Sequence, residues 1–168
     1  MLSLYYNSII PNDFLNKFDA KGKVLIGHSL GGPIICRMAM DTAVNYKGLL
    51  IVAGSIDPDL EPKEPWRKPL NRPFLRWILP RSFRVSNQEI LPAKQELIAM
   101  EGLWPNIDIP CCVIQGGKDN LVPAGNADYA EKMLVNAERI KIVRLPKANH
   151  FIPFRQPELM IKELMEFF

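Results

Sequence analysis

Residues 23–27 read KVLIG and run straight into HSLGG, so an apolar run ends on a serine set among glycines. This juncture constrains the fold more than any other stretch of the chain. Glycines two before and two after Ser29 permit a sharp strand-to-helix turn in which other side chains are expected to collide. Three further apolar runs follow: GLLIVAG at 48–54, CCVIQGG at 111–117 and IKIVRL at 140–145. All are short, rich in β-favouring residues, and bounded by Gly, Pro or charge, and the first three lack polar alternation. Such strands suit a parallel sheet covered on both faces by helices. Helical patterns occupy the gaps, starting at Gly32 and at Gly125. The closing QPELMIKELMEFF puts Pro157 and Glu158 in a first turn and Ile161, Leu164, Met165 and Phe168 along one apolar face. The expected fold class is α/β, a parallel sheet of about four strands flanked by helices and joined by right-handed crossovers.

At 168 residues the chain has the size of one domain, residues 1–168. Its 48% hydrophobic and 23% charged composition, with a net charge of +3, describes a globular protein and calls for no nucleic acid partner. The opening MLSLYYNSIIPNDF has no basic leader region, and Asn7 and Pro11 interrupt its apolar stretch. It therefore reads neither as a signal peptide nor as a membrane span, and a cytoplasmic location without stable membrane insertion is expected. Three cysteines without C-x-x-C spacing argue against a disulfide framework and against a zinc site. Cys111 and Cys112, adjacent on one strand, are expected to face opposite ways in the core.

Residues 57–110 differ from the rest, with nine prolines in fifty-four residues. That density prevents one long helix and predicts short helices at 73–79 and 88–101 joined by stiff turns. The stretch reads as a lid inserted into the domain. Arg67, Lys68, Arg72, Arg76, Arg81 and Arg84 are interspersed there with Trp66, Phe74 and Trp77, but the cations form no single helical stripe. A solvated lid whose aromatics cover a pocket is preferred to a surface for nucleic acid or membrane.

The serine can now be given chemistry. A hydroxyl is a weak nucleophile, and using one requires a base at its oxygen, a group that orients the base, and donors for the oxyanion. The helix behind Ser29 directs its N-terminal N–H groups toward any negative charge formed there, and the Leu30 N–H is a natural oxyanion donor. In a parallel sheet, groups just beyond the C-terminal strand ends meet however distant they are in sequence. Asp119, in GGKDNLVP, and His150, in PKANHFIP, occupy such places, in the order Ser29, Asp119, His150. Asp57, after the second strand, is the rival acid. The only other histidine, His28, adjoins the serine and is read as a structural occupant of the turn.

With GHSLGG, GGKDNLVP and NHFIP in view, the chain from about residue 20 onward resembles the C-terminal two thirds of an α/β-hydrolase. The resemblance implies a partial α/β-hydrolase fold with Ser29 as nucleophile, Asp119 as orienting acid, His150 as general base and the Leu30 N–H in the oxyanion hole. It implies that the Pro-rich insertion caps the substrate pocket, and it implies no metal or organic cofactor. Serine at the nucleophile position argues against epoxide opening and halide displacement, for which the family uses aspartate.

The implied function is hydrolysis of a small-molecule carboxylic ester or thioester through an acyl-enzyme. The alternative is a catalytically impaired fragment that binds a ligand or protein partner. Trp66, Phe74, Trp77, Ile78 and Leu79 predict an apolar lining and a preference for short to medium apolar acyl groups. The family has about four strands before the elbow and draws a second oxyanion donor from an early loop, whereas twenty-odd residues precede it here, including one expected helix at Pro11–Phe18. A truncated chain is therefore expected, with the first strand at a sheet edge, marginal stability, poor turnover and a tendency to dimerise through that edge.

Overall fold

The computed structural model describes residues 22–41, 46–61 and 92–168. The helices expected at Pro11–Phe18 and 73–79, and most of the lid, lie outside them. Four strands form one sheet in the order β1 (Val24–His28), β2 (Gly48–Val52), β3 (Cys111–Gly116) and β4 (Ile140–Leu145). All three pairings are parallel, with Val24 opposite Gly48, Leu49 opposite Cys111 and Cys111 opposite Ile140. Each run read as a strand is one, to within two residues at its ends.

The sheet's two faces carry separate cores, as strand alternation requires. On one face Leu49, Ile51, Cys111 and Val113 pack with α1 (Gly31–Ala39), with the helical residues 92–100, and with α3 (Asn126–Met133). Here α2 denotes residues 92–100, whose Ala93, Leu97 and Met100 recur at helical spacing and are buried. A 3-10 turn at Glu101–Asn106 follows α2 and buries Trp104, whose ring meets Tyr129 of α3 edge-on at 5.8 Å. Leu97, Met100, Trp104 and Ile107 all belong to this core, so the end of the 57–110 stretch is anchored in the body of the domain.

On the other face Leu50, Val52, Cys112 and Ile114 pack with Ile152 of α4 (Ile152–Arg155) and with α5 (Pro157–Phe167). Here one expectation is corrected. Leu159, Met160, Leu164, Phe167 and Phe168 meet the core, while Ile161 and Met165 face outward. The deciding group is Glu163, which α5 buries and which reaches Lys141 of β4 at 2.5 Å. A carboxylate taken out of water must find a partner, and seating it on Lys141 turns the helix away from Ile161 and Met165. The ammonium of Lys141 is correspondingly held above its usual range by the Glu163 hydrogen bond.

Cys36, Cys111 and Cys112 are free and buried, with Cys111 and Cys112 in opposite cores. Burial pushes the Cys111 and Cys112 thiols up to about 12, and raises Cys36 well above its ordinary value. At one side of the sheet β1 pairs only with β2 among the described residues, and Ile26 is 48% exposed.

Candidate active site

Ser29 sits at the tip between β1 and α1 with φ of 55°, in the left-handed region that L-residues other than Gly, Asn and Asp rarely adopt. Such a conformation costs about 1–3 kcal/mol and persists only where surrounding bonds enforce it. Here the Ser29 N–H donates to Val52 O at 3.1 Å, and its carbonyl oxygen accepts from Gly32 N at 3.0 Å and Ser55 N at 3.2 Å. The turn is thus clamped to the end of β2 and to its own helix. Only one of the two flanking glycines is sterically necessary. A Cβ on Gly27 would strike the carbonyl oxygen of Gly31, whereas one on Gly31 would meet nothing within 4 Å. The Leu30 N–H enters no backbone hydrogen bond among the described residues.

Asp119 and His150 come from the loops after β3 and β4. The side chain of Asp119 is wholly buried and that of His150 nearly so, and His150 Nδ1 lies 2.8 Å from Asp119 Oδ2. The other carboxylate oxygen accepts the N–H groups of Leu121 at 2.9 Å and Val122 at 2.8 Å. Both loops can approach because Gly116 has no side chain: a Cβ there would lie 2.6 Å from Ala148 O and 2.9 Å from Asn149 O. Lys118 N donates to Ala148 O, and Gly117 N to Leu145 O, each at 2.9 Å, lacing the loops together. Buried Gln115 donates to Val122 O at 3.1 Å and supports the same turn from below.

Because a carboxylate only accepts, Nδ1 of His150 carries a proton toward Asp119, and in the neutral ring Nε2 is then the nitrogen with the lone pair. No hydrogen bond joins the Ser29 hydroxyl to His150 among the described residues. The serine turn and the His150 loop are nevertheless connected through His28, whose Nε2 lies 2.9 Å from the carbonyl oxygen of His150 and whose ring, tilted by 44°, lies against the His150 ring at 4.6 Å. Asp57 is held elsewhere. Its N–H and that of Ile56 donate to Asn126 Oδ1 at 2.9 and 2.8 Å, and its carboxylate accepts from Asp59 N at 2.8 Å.

His28, Asn126, Gln115 and Gly116 were not singled out as site residues by sequence. Their roles rest on contacts between loops that no local pattern records. Among the described residues no cluster of His, Cys, Asp or Glu could hold a metal, and no helix is long and apolar enough to cross a membrane. A depression of about 570 Å³ lined by Asp57, Asp59, Glu101, Tyr129 and Lys132 contains none of Ser29, Asp119 or His150.

A parallel sheet with a left-handed serine at a strand-to-helix turn, facing loops that pair an acid with a histidine, defines an α/β-hydrolase type of architecture. The model of the alpha/beta hydrolase family matches residues 6–163, and the chain belongs to that family. Among solved structures it is similar to the monoacylglycerol lipase of Paleococcus ferrophilus, with 15% identity and a TM-score of 0.73 over 98% of this chain and 74% of that one. An esterase from Exiguobacterium antarcticum is similar at 13% identity and a TM-score of 0.66, over 98% and 73%. A protein from Thermoplasma acidophilum described as a predicted CIB-like hydrolase shares 16% identity at a TM-score of 0.61, over 98% of this chain and 58% of its own length. The chain therefore spans little more than half of that last relative. No curated protein matches it.

Proposed function

We propose that the chain is a serine hydrolase that cleaves a carboxylic ester or thioester through an acyl-enzyme. The observation that carries this reading is the 2.8 Å pair of His150 Nδ1 and Asp119 Oδ2, buried beside the serine turn. Ser29 Oγ attacks the substrate carbonyl carbon while Nε2 of His150 takes the hydroxyl proton, and Asp119 stabilises the imidazolium formed. The oxyanion is met by the Leu30 N–H at the start of α1. Collapse breaks the bond to the alcohol or thiol, which leaves with the proton from His150. Water then attacks the acyl-enzyme by the same proton path and frees Ser29.

Exposed Phe151 and Phe154, one and four residues after His150 and in ring contact with His150 and His28 respectively, add apolar surface at the site's rim. They support the preference for short to medium apolar acyl groups proposed for a cap within 57–110. A panel of esters graded by chain length tests it, and a preference for charged acyl groups would count against the cap as pocket wall.

The second reading, a ligand- or protein-binding member without turnover, draws on the absent hydrogen bond between Ser29 and His150 among the described residues. Catalytic hydrogen bonds are often long before substrate binds, which favours the enzyme. A fluorophosphonate probe separates the two. Stoichiometric mass addition on Ser29, abolished in Ser29→Ala, is expected, and no addition in well-folded protein would sink the enzymatic reading.

A further inference from the structure

We infer that His28 is a positioning residue for the general base: its ring N–H holds the backbone of His150 at a fixed place relative to the nucleophile. The inference rests on the proposed roles of Ser29 and His150. A carbonyl oxygen can only accept, so the 2.9 Å contact requires Nε2 of His28 to carry the proton and donate. The bond crosses 122 residues of sequence, from the last residue of β1 to the loop after β4. His28 is itself fixed, since β1 pairs with β2 in register there, opposite Val52.

The consequence is geometric. The other anchors of His150 are Asp119, the backbone bonds of its own loop and the buried Ile152, and the Asp119 loop sits two strands away from the nucleophile. The His28 bond ties the base to the residue adjoining Ser29, so movement of the outer loops is not passed in full to the distance between nucleophile and base. His150 is then gripped at two points, its side chain by Asp119 and its main chain by His28. Ring packing adds to this. His28 lies against His150 at a centroid distance of 4.6 Å, and the exposed Phe154 meets His28 edge-on at 6.3 Å.

Two substitutions separate donor from ring. His28→Phe keeps an aromatic ring and removes the N–H, while His28→Gln places an amide N–H near the Nε2 position without a ring. If the hydrogen bond does the positioning, His28→Phe lowers kcat on a chromogenic ester by about tenfold to a hundredfold with KM little changed, because misplacement of a reacting group by about 1 Å costs that much. His28→Gln recovers most of the loss. Hydrogen–deuterium exchange over residues 146–151 reads the tether without turnover: it is faster in His28→Phe and restored in His28→Gln. Equal kcat and exchange in His28→Phe and the unaltered chain would overturn the inference, as would a loss shared by both variants, which assigns the effect to the ring. An unaltered chain that is not labelled at Ser29 by the fluorophosphonate would instead reject the hydrolase reading, and with it any catalytic meaning of the tether.

Discussion

Asp119 divides its carboxylate, one oxygen taken by His150 at 2.8 Å and the other by the N–H groups of Leu121 and Val122. The acid is therefore anchored to its own loop independently of the histidine it orients. His150→Ala and Asp119→Asn are each expected to lower ester turnover about a thousandfold or more, with His150→Ala the more severe because that residue handles the proton. Asp57→Asn should change turnover little, since its carboxylate serves Asp59 N. Steady-state kinetics of the three variants check this, and the opposite ranking of the two aspartates would make Asp57 the acid.

Gly116→Ala is expected to damage catalysis more than folding. The added methyl would push the Ala148–Asn149 backbone away from the Asp119 loop, shifting His150 and reducing kcat by about tenfold or more. By contrast Gly31→Ala, at the first position of α1, meets open space and should stabilise the protein by about 0.4–1 kcal/mol, while Gly27→Ala should destabilise it. Denaturant melts of the glycine variants, read beside the Gly116→Ala kinetics, test both statements.

The Lys141–Glu163 pair gives a pH signature. The Glu163 hydrogen bond raises Lys141 above its ordinary value of 10.5, so the pair stabilises the fold fully below that pH and is lost as pH rises through the folded value. The melting temperature should fall less steeply above about pH 10.5 in Lys141→Met than in the unaltered chain. A parallel decline in the two proteins would show that the pair contributes nothing there.

Among the described residues β1 pairs only with β2 and carries exposed Ile26, and an edge of that kind is where a second chain is proposed to add. Ile26→Lys is expected to lower self-association, measured by sedimentation at increasing concentration. Identical behaviour with and without the substitution would remove this edge as a dimer contact.

Sequence made the strands legible because β2 and β3 are buried along their whole length, and full burial leaves an apolar run that tolerates few other readings. Ser29, Asp119 and His150 stood out because parallel topology gathers groups at one end of the sheet whatever lies between them. The face of α5 did not stand out. Its sequence carries two apolar stripes, and the choice between them is made by Glu163 meeting a lysine on β4. His28 was underread for a similar reason, since its partner is a main-chain oxygen, which has no signature in sequence at all.

Three thiols buried in the sheet and its first helix give the molecule an internal clock. With Cys111 and Cys112 pushed up to about 12 and fully covered, almost no thiolate is exposed to an alkylating reagent at neutral pH. Iodoacetamide must then wait for the layers to part, and the rate at which each sulfur is trapped measures how often its side of the sheet breathes. Because Cys111 and Cys112 are neighbours in the chain but belong to opposite layers, unequal trapping at the two would report which layer opens first.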